Sequence, residues 1–225
     1  GGDNTVLGGS GADSITASGG NNSINAGEDN DTITAISGTN TINAGDGNDT
    51  IRLNNGTNSL VAGSGADTIT AASGFNTIDA GDDADTITLT GGNNTVLGSS
   101  GNDTITASGG TNTIATGEGD NTIVLNGGDN SVTASSGNDA ITAAGGHNTI
   151  DAGGSHDTIR LNDGTNSLVA GSGMDSITAA SGFNTIDAGD DADTITLTGG
   201  YNTVLASSGN DTITASGGTN IITTS

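Results

Sequence analysis

The sequence predicts an all-β fold, a parallel β-solenoid of about 12.5 coils with two nonapeptides in each coil. Three observations carry this. The 225 residues divide into nines without a slip, as in TASGGNNSI, NAGEDNDTI, TAISGTNTI and NAGDGNDTI. Two kinds of nine alternate strictly, so the repeat unit is 18 residues, a length that suits two short strands and two tight turns. Apolar residues recur with a period of two inside each nine and never with the period of a helix, which the Gly-rich turns would break.

The acidic nine comes first. Asp13, Asp31, Asp49, Asp67, Asp85, Asp103, Asp139, Asp157, Asp175, Asp193 and Asp211 recur every 18 residues, with Asn121 standing in the one remaining place. An Ile follows each member two residues later, from Ile15 to Ile213. In the other nine the same place is always Asn, from Asn4 and Asn22 to Asn220, with a Gly two residues before it. Residues 51–113 and 159–221 are nearly identical at an offset of six coils, and arrays that grow by such duplication need a modular, stackable structure. No linker or change of composition interrupts the chain. Residues 1–225 therefore form a single continuous repeat solenoid, and the missing polar caps predict a piece of a longer array.

Within a coil, Asp49–Thr50–Ile51–Arg52–Leu53 turns Ile51 and Leu53 one way and Thr50 and Arg52 the other. On the Asp side the inward residues are Ile and then Ala or Leu; on the Asn side they are Val, Ile or Leu and then mostly Ala or Gly. Stacked at about 4.8 Å, these make a thin core of aliphatic ladders in a rod roughly 60 Å long. The Asn column predicts a neutral ladder of amides bonded from coil to coil.

The Gly-rich hexads between strands carry the chemistry. Gly8–Gly9–Ser10–Gly11–Ala12–Asp13 fits G-G-x-G-x-D with Ile15 in the strand that follows, and the hexads ending at Asp49 and Asp67 depart only at the first Gly. Here the chain resembles the RTX, or hemolysin-type, calcium-binding nonapeptide repeats of secreted bacterial proteins. The resemblance implies a β-roll with Ca2+ between successive turns, held by the sixth-position Asp and turn carbonyls. The hexads ending at Asp31, Asp85, Asp157 and Asp193 lack the fourth-position Gly, and every Asn-side turn lacks the acid.

Charge points the same way. A column of carboxylates about 4.8 Å apart repels by about 1 kcal/mol per neighbouring pair even in water. Calcium between turns would neutralise it with an all-oxygen shell. The alternative is that each Asp caps its own turn by accepting backbone N–H bonds.

The remaining candidates are weaker. Outward Thr pairs at Thr68/Thr70, Thr86/Thr88 and Thr104/Thr106 resemble the T-x-T faces of ice-binding β-solenoids, with Arg52, Val124 and Ala140 interrupting the face. Asn-side strands carry mixed outward residues at Asn25, Val61, Asp79, Leu97 and Thr133, which predicts no regular array there. His147 and His156 lack a nucleophile constellation, so no catalytic residue is assigned and the chain is not read as an enzyme. Phe183 and Tyr201 are neighbours on adjacent coils, and Arg52 and Arg160 are placed among nearby acids.

Composition limits the partners. The net charge is −24, with two Lys and Arg together against 26 Asp and Glu, which argues against nucleic acid and anionic membranes and for cations. There is no apolar run of roughly 18 residues for membrane insertion, and no Cys for disulfides or thiolate sites. The expected role is an extracellular or cell-surface, secreted, calcium-binding structural element: a stalk, spacer, surface-layer, matrix or filament component. Its partners are calcium ions and identical or flanking repeat modules stacked end to end. Millimolar extracellular calcium can fill weak sites that cytosolic levels leave empty. An ice-binding solenoid is the alternative, and an accessory RTX domain of a secreted enzyme, toxin or adhesin is a third reading.

Overall fold

Twenty-five strands alternate between two parallel sheets in the computed structural model, which describes residues 2–224. The end residues of the 1–225 array lie outside the described residues. Thirteen strands form an Asn sheet, from Asn4–Ser10 and Asn21–Glu28 to Thr219–Thr223. Twelve form an Asp sheet, from Ser14–Ala17 to Thr212–Ala215. Each strand pairs in register with the strand one coil on: Asn76 with Asn94, Ile87 with Ile105. No described residue is helical.

The period of 18 dictates this stacking, because only a zero-slip register lays each inward residue on its own kind. Ile33, Ile51, Ile69, Ile87 and Ile105 form one fully buried ladder, and Ile42, Leu60, Ile78, Val96 and Ile114 face it from the Asn sheet. The second inward position of the Asp sheet alternates strictly from Ala35 on: Leu53, Ala71, Leu89, Ala107, Leu125. A Leu in every coil would crowd the stack, and a Leu over each Ala lets large side chains spread into the space that the small ones leave.

The Asn-side turn depends on its glycine. Gly38 has φ +96°, and a Cβ on it would sit 2.0 Å from the Gly20 carbonyl oxygen of the coil before. Any side chain there would push two coils apart. The acidic turn is more tolerant. Where the fourth-position Gly is missing, Asp29, Asp83, Ser155 and Asp191 hold φ between +77° and +87°, in the left-handed region that Asp accepts better than most residues. The four departing hexads keep a left-handed residue at that point, at the cost of some backbone strain.

Candidate metal centre

The Asn edge is closed. From Asn4 to Asn220 each side-chain Nδ2 donates to the Oδ1 of the Asn one coil on, at 2.7–2.8 Å throughout. The second proton goes to the carbonyl that begins the same turn, as from Asn94 to Gly91 at 3.1 Å and from Asn112 to Gly109 at 3.1 Å. The expected amide ladder is present, buried and internally satisfied. It has no use for a metal.

The Asp edge is open. From Asp31 on, each carboxylate accepts, through Oδ1, the backbone N–H of the column member one coil before it. Asp49 to Asp67 is 2.7 Å, Asp67 to Asp85 is 2.7 Å and Asp193 to Asp211 is 3.0 Å. The capping alternative is thus half met, but across coils rather than within a turn. The other oxygen is left over. Oδ2 of Asp13, Asp31, Asp49, Asp67, Asp85, Asp103, Asp139, Asp157, Asp175 and Asp193 is buried without a hydrogen-bond partner. From Asp31 to Asp193 these residues are at most 2% exposed.

A buried anionic oxygen with no donor is unstable by itself. Burial raises the carboxyl pKa to about 7 in Asp67, Asp85 and Asp157 and to about 6 in Asp103, Asp139 and Asp193, against the pull of the backbone N–H bond. Like charge one coil away adds to it, as Asp67 does for Asp85. Asp49 and Asp175 shift the same way for the same leading cause. The column calls for a proton or a cation.

The donor set fits a hard cation. It is all oxygen, in a turn rich in carbonyls. Gly8 and Gly98 show how near these oxygens come: a Cβ on Gly8 would lie 2.3 Å from Asp13 Oδ2 and 2.2 Å from the Ala26 carbonyl oxygen. On Gly98 it would lie 2.4 Å from Asp103 Oδ2 and 2.3 Å from the Thr116 carbonyl oxygen. A carboxylate and a carbonyl of the next coil thus turn toward the same small volume with no proton between them. Among the described residues no three Asp, Glu, His or Cys side chains converge, so carbonyls or water must complete any shell.

The other sequence candidates are scattered. Thr68, Thr86 and Thr104 stack in register and are exposed, while Thr70, Thr88 and Thr106 beside them are half-buried. Arg52 stands between Thr34 and Thr70, and Val124 follows Thr106, as expected. The Asn sheet corrects the expectation of no regular array there. Thr5, Ser23, Thr41, Ser59, Thr77, Thr95 and on to Thr203 form an unbroken exposed hydroxyl file, one residue after each ladder Asn. That position alternates outward just as the mixed one does, and a column-by-column tabulation would have found it.

Among the described residues Arg52 and Arg160 make no carboxylate contact within ion-pair distance, and exposed His147 Nδ1 lies 3.0 Å from Asp129 Oδ1. His156 Nδ1 accepts the Met174 N–H on a different turn, so the two histidines do not meet. Phe183 and Tyr201 do stack, with centroids 5.0 Å apart and planes 7° apart, on the exposed face of the Asn sheet.

These coils match a family model. The RTX calcium-binding nonapeptide repeat (four copies) matches residues 1–33, 34–69, 61–96, 88–123, 124–159, 133–168, 169–204 and 198–225, and so spans the whole chain. The chain belongs to the RTX calcium-binding repeat family. Calcium is therefore the cofactor of this RTX array, in agreement with the chemistry of the Asp edge. Among solved structures, the RTX array is similar to a hyperactive, Ca2+-dependent, β-helical antifreeze protein from an Antarctic bacterium. The identity is 19%, the match covers 93% of this chain and 83% of that one, and the TM-score is 0.74, a likeness of fold. No curated protein matches the RTX array.

Proposed function

We propose that this RTX array is an extracellular structural rod, a stalk, spacer or matrix element, folded and stiffened by calcium held along its Asp edge. The observation that carries the proposal is the line of ten buried, unpartnered Oδ2 atoms. Asp13, Asp31, Asp49, Asp67, Asp85, Asp103, Asp139, Asp157, Asp175, Asp193 and Asp211 are its ligands, with turn carbonyls beside them. Bound calcium supplies positive charge between coils, where the chain has none of its own.

The chain's residues do the rest. Oδ1 of each carboxylate ties the coil before it through a backbone N–H, which fixes the side chain and aims Oδ2 at the gap. The Asn ladder holds the opposite edge at constant spacing, so neighbouring gaps are alike. Millimolar extracellular calcium would fill such sites even if they are weak, which supports an extracellular location. Circular dichroism and small-angle scattering of the full chain in chelator, then during calcium titration, test it. An expanded chain that regains β-structure with calcium is expected. A rod that stays fully folded in excess chelator and ignores added calcium would sink the proposal.

Ice binding is the second reading, favoured by the stacked Thr68, Thr86 and Thr104 and by the longer Thr5–Thr203 hydroxyl file. Similarity to an antifreeze protein adds to it. Against it, the second Thr row is half-buried, and Arg52 and Val124 break the patch. No appreciable thermal hysteresis is expected of the calcium-loaded chain. Hysteresis abolished by Thr86→Tyr or by Thr95→Tyr, with the fold intact, would promote this reading and say which face acts.

A further inference from the structure

We propose that the coil containing Thr116 and Asn121 is a metal-free seam, in which an amide and a hydroxyl take the place of the cation that the acidic coils need. The inference rests on the calcium reading of the Asp edge. Two departures from the repeat coincide in this coil. Asn121 is the one non-acidic member of the Asp column. Thr116, five residues earlier, is the one residue between Gly8 and Ala206 in its inward column that is neither Gly nor Ala; the column's last place is Thr224, which is exposed.

The fold brings the two together. Asn121 Nδ2 donates to Thr116 Oγ1 at 3.1 Å and to the Gly119 carbonyl at 2.9 Å. The Thr116 hydroxyl donates in turn to the Ala134 carbonyl of the next coil at 2.8 Å. Thr116 is 0% exposed and Asn121 1%. Asn121 otherwise behaves as the column does: Oδ1 accepts the Asp103 N–H at 2.9 Å, and its own N–H donates to Asp139 Oδ1 at 2.7 Å.

The substitution is thus local and complete. Every acidic member from Asp13 to Asp193 leaves one buried oxygen without a partner, whereas Asn121 has a donor there and both of its protons are used. Thr116 is the necessary second half. With Ala at that place one buried amide proton would be unpaired, a cost that a lone Asp→Asn change would carry. The Thr hydroxyl also bonds across the coil gap, a span that calcium bridges elsewhere in this reading.

Strand lengths change at the same coil. Before it, Asn-sheet strands run on through the acidic turn, as in Phe75–Asp82 and Asn93–Ser100. From Thr111–Ala115 onward they stop short, and the turns pair through isolated bridges such as Ser100↔Glu118 and Glu118↔Ser136. The seam therefore divides the carboxylates into two blocks, Asp13–Asp103 and Asp139–Asp211, joined by a coil that does not depend on the ion.

Counting calcium tests this. Titration calorimetry with metal analysis should show one more calcium per chain in the double variant Thr116→Ala/Asn121→Asp than in the native chain. Thr116→Ala alone should bind the native number and melt lower in saturating calcium. A native chain that binds no calcium would refute the calcium reading itself. A native chain that binds calcium, with an unchanged count in a folded double variant, would refute the seam alone. If the double variant does not fold, hydrogen exchange of the native chain in chelator decides. Amides of residues 112–139 should then exchange roughly tenfold or more slowly than those of the equivalent coils 58–85, as expected of a locally stable unit. Equal exchange in the two segments would overturn the seam.

Discussion

The two edges of each coil have nearly the same backbone job and opposite chemistry. At the Asn edge, Asn94 both gives and receives an amide hydrogen bond, and its second proton reaches Gly91. At the Asp edge, Asp85 receives one backbone N–H from Asp67 and keeps a second oxygen buried with nothing to bond. An amide carries donor and acceptor on one group, so a column of them closes on itself. A carboxylate carries acceptors alone, so a column of them cannot. The lesson is that one edge is stable as built, while the other makes stability conditional on what the solution supplies.

Metal removal should break the comparison most strongly. In chelator at neutral pH the Asp edge should open and the β-signal at far-ultraviolet wavelengths should collapse, although every Asn rung is chemically unchanged. Retention of the full signal would mean that the Asn ladder and the aliphatic core suffice.

Acid should partly replace the metal. Carboxyls such as Asp67 and Asp85 titrate near 7 in the folded chain against 3.8 ordinarily. Folding therefore takes up protons, and the stabilising contribution is complete below about 3.8 and lost as pH rises through about 6 to 7. The chelated chain should become more stable, by thermal melt, as pH falls from 8 to 5. Calcium binding should weaken over the same range, because protons compete for the same oxygens. A chelated chain that loses stability steadily from pH 8 to pH 5 would contradict the assignment.

Breaking one rung sharpens the contrast. Asn94→Ala leaves one proton of Asn76 Nδ2 and the Asn112 Oδ1 unpartnered inside the rod, at about 1–3 kcal/mol for each unsatisfied group. The loss in denaturant melts should be the same in saturating calcium at neutral pH and in chelator at pH 5, where protons take the place of the metal. A loss that vanishes in calcium would couple the edges in a way the geometry does not.

Asp85→Asn should give a smaller effect whose sign depends on the metal. In chelator at neutral pH it removes a buried charge and its repulsion by Asp67, Asp103 and Asp83, so it should raise the residual β-signal. In calcium it removes a ligand, so it should destabilise the chain, by about 1–2 kcal/mol. Ala80 stands where Thr116 stands in the seam, so the new amide keeps one proton unpaired and the gain in chelator is limited. Equal signs in the two conditions would count against calcium at this edge. The smallest effect belongs to Thr86→Tyr on the exposed outer face, within about 0.5 kcal/mol in saturating calcium.

Much of this was legible beforehand. Zero-slip nines lead directly to stacked coils, and stacking leads to the Ile33–Ile51–Ile69 core ladder and the Asn22–Asn40–Asn58 amide ladder. A residue that recurs every coil meets its own copy, so identity along the chain becomes contact across it. Composition then supplies the sign of the partner, since 26 acids face two Arg. Nothing beyond counting was needed there.

Tertiary structure decided what repetition leaves open. A carboxylate in a column could bind its own turn, its neighbour or a metal. The backbone N–H of the preceding coil engages Oδ1 and leaves Oδ2 free, as at Asp67 and Asp85. The pairing of Thr116 with Asn121 and of His147 with Asp129 likewise depends on where side chains point after the turns close. Periodicity sets which residues are neighbours, because it is a property of the chain. Which lone pair or proton each neighbour uses is set by local geometry, because hydrogen bonds are directional and the turn, not the repeat, aims them.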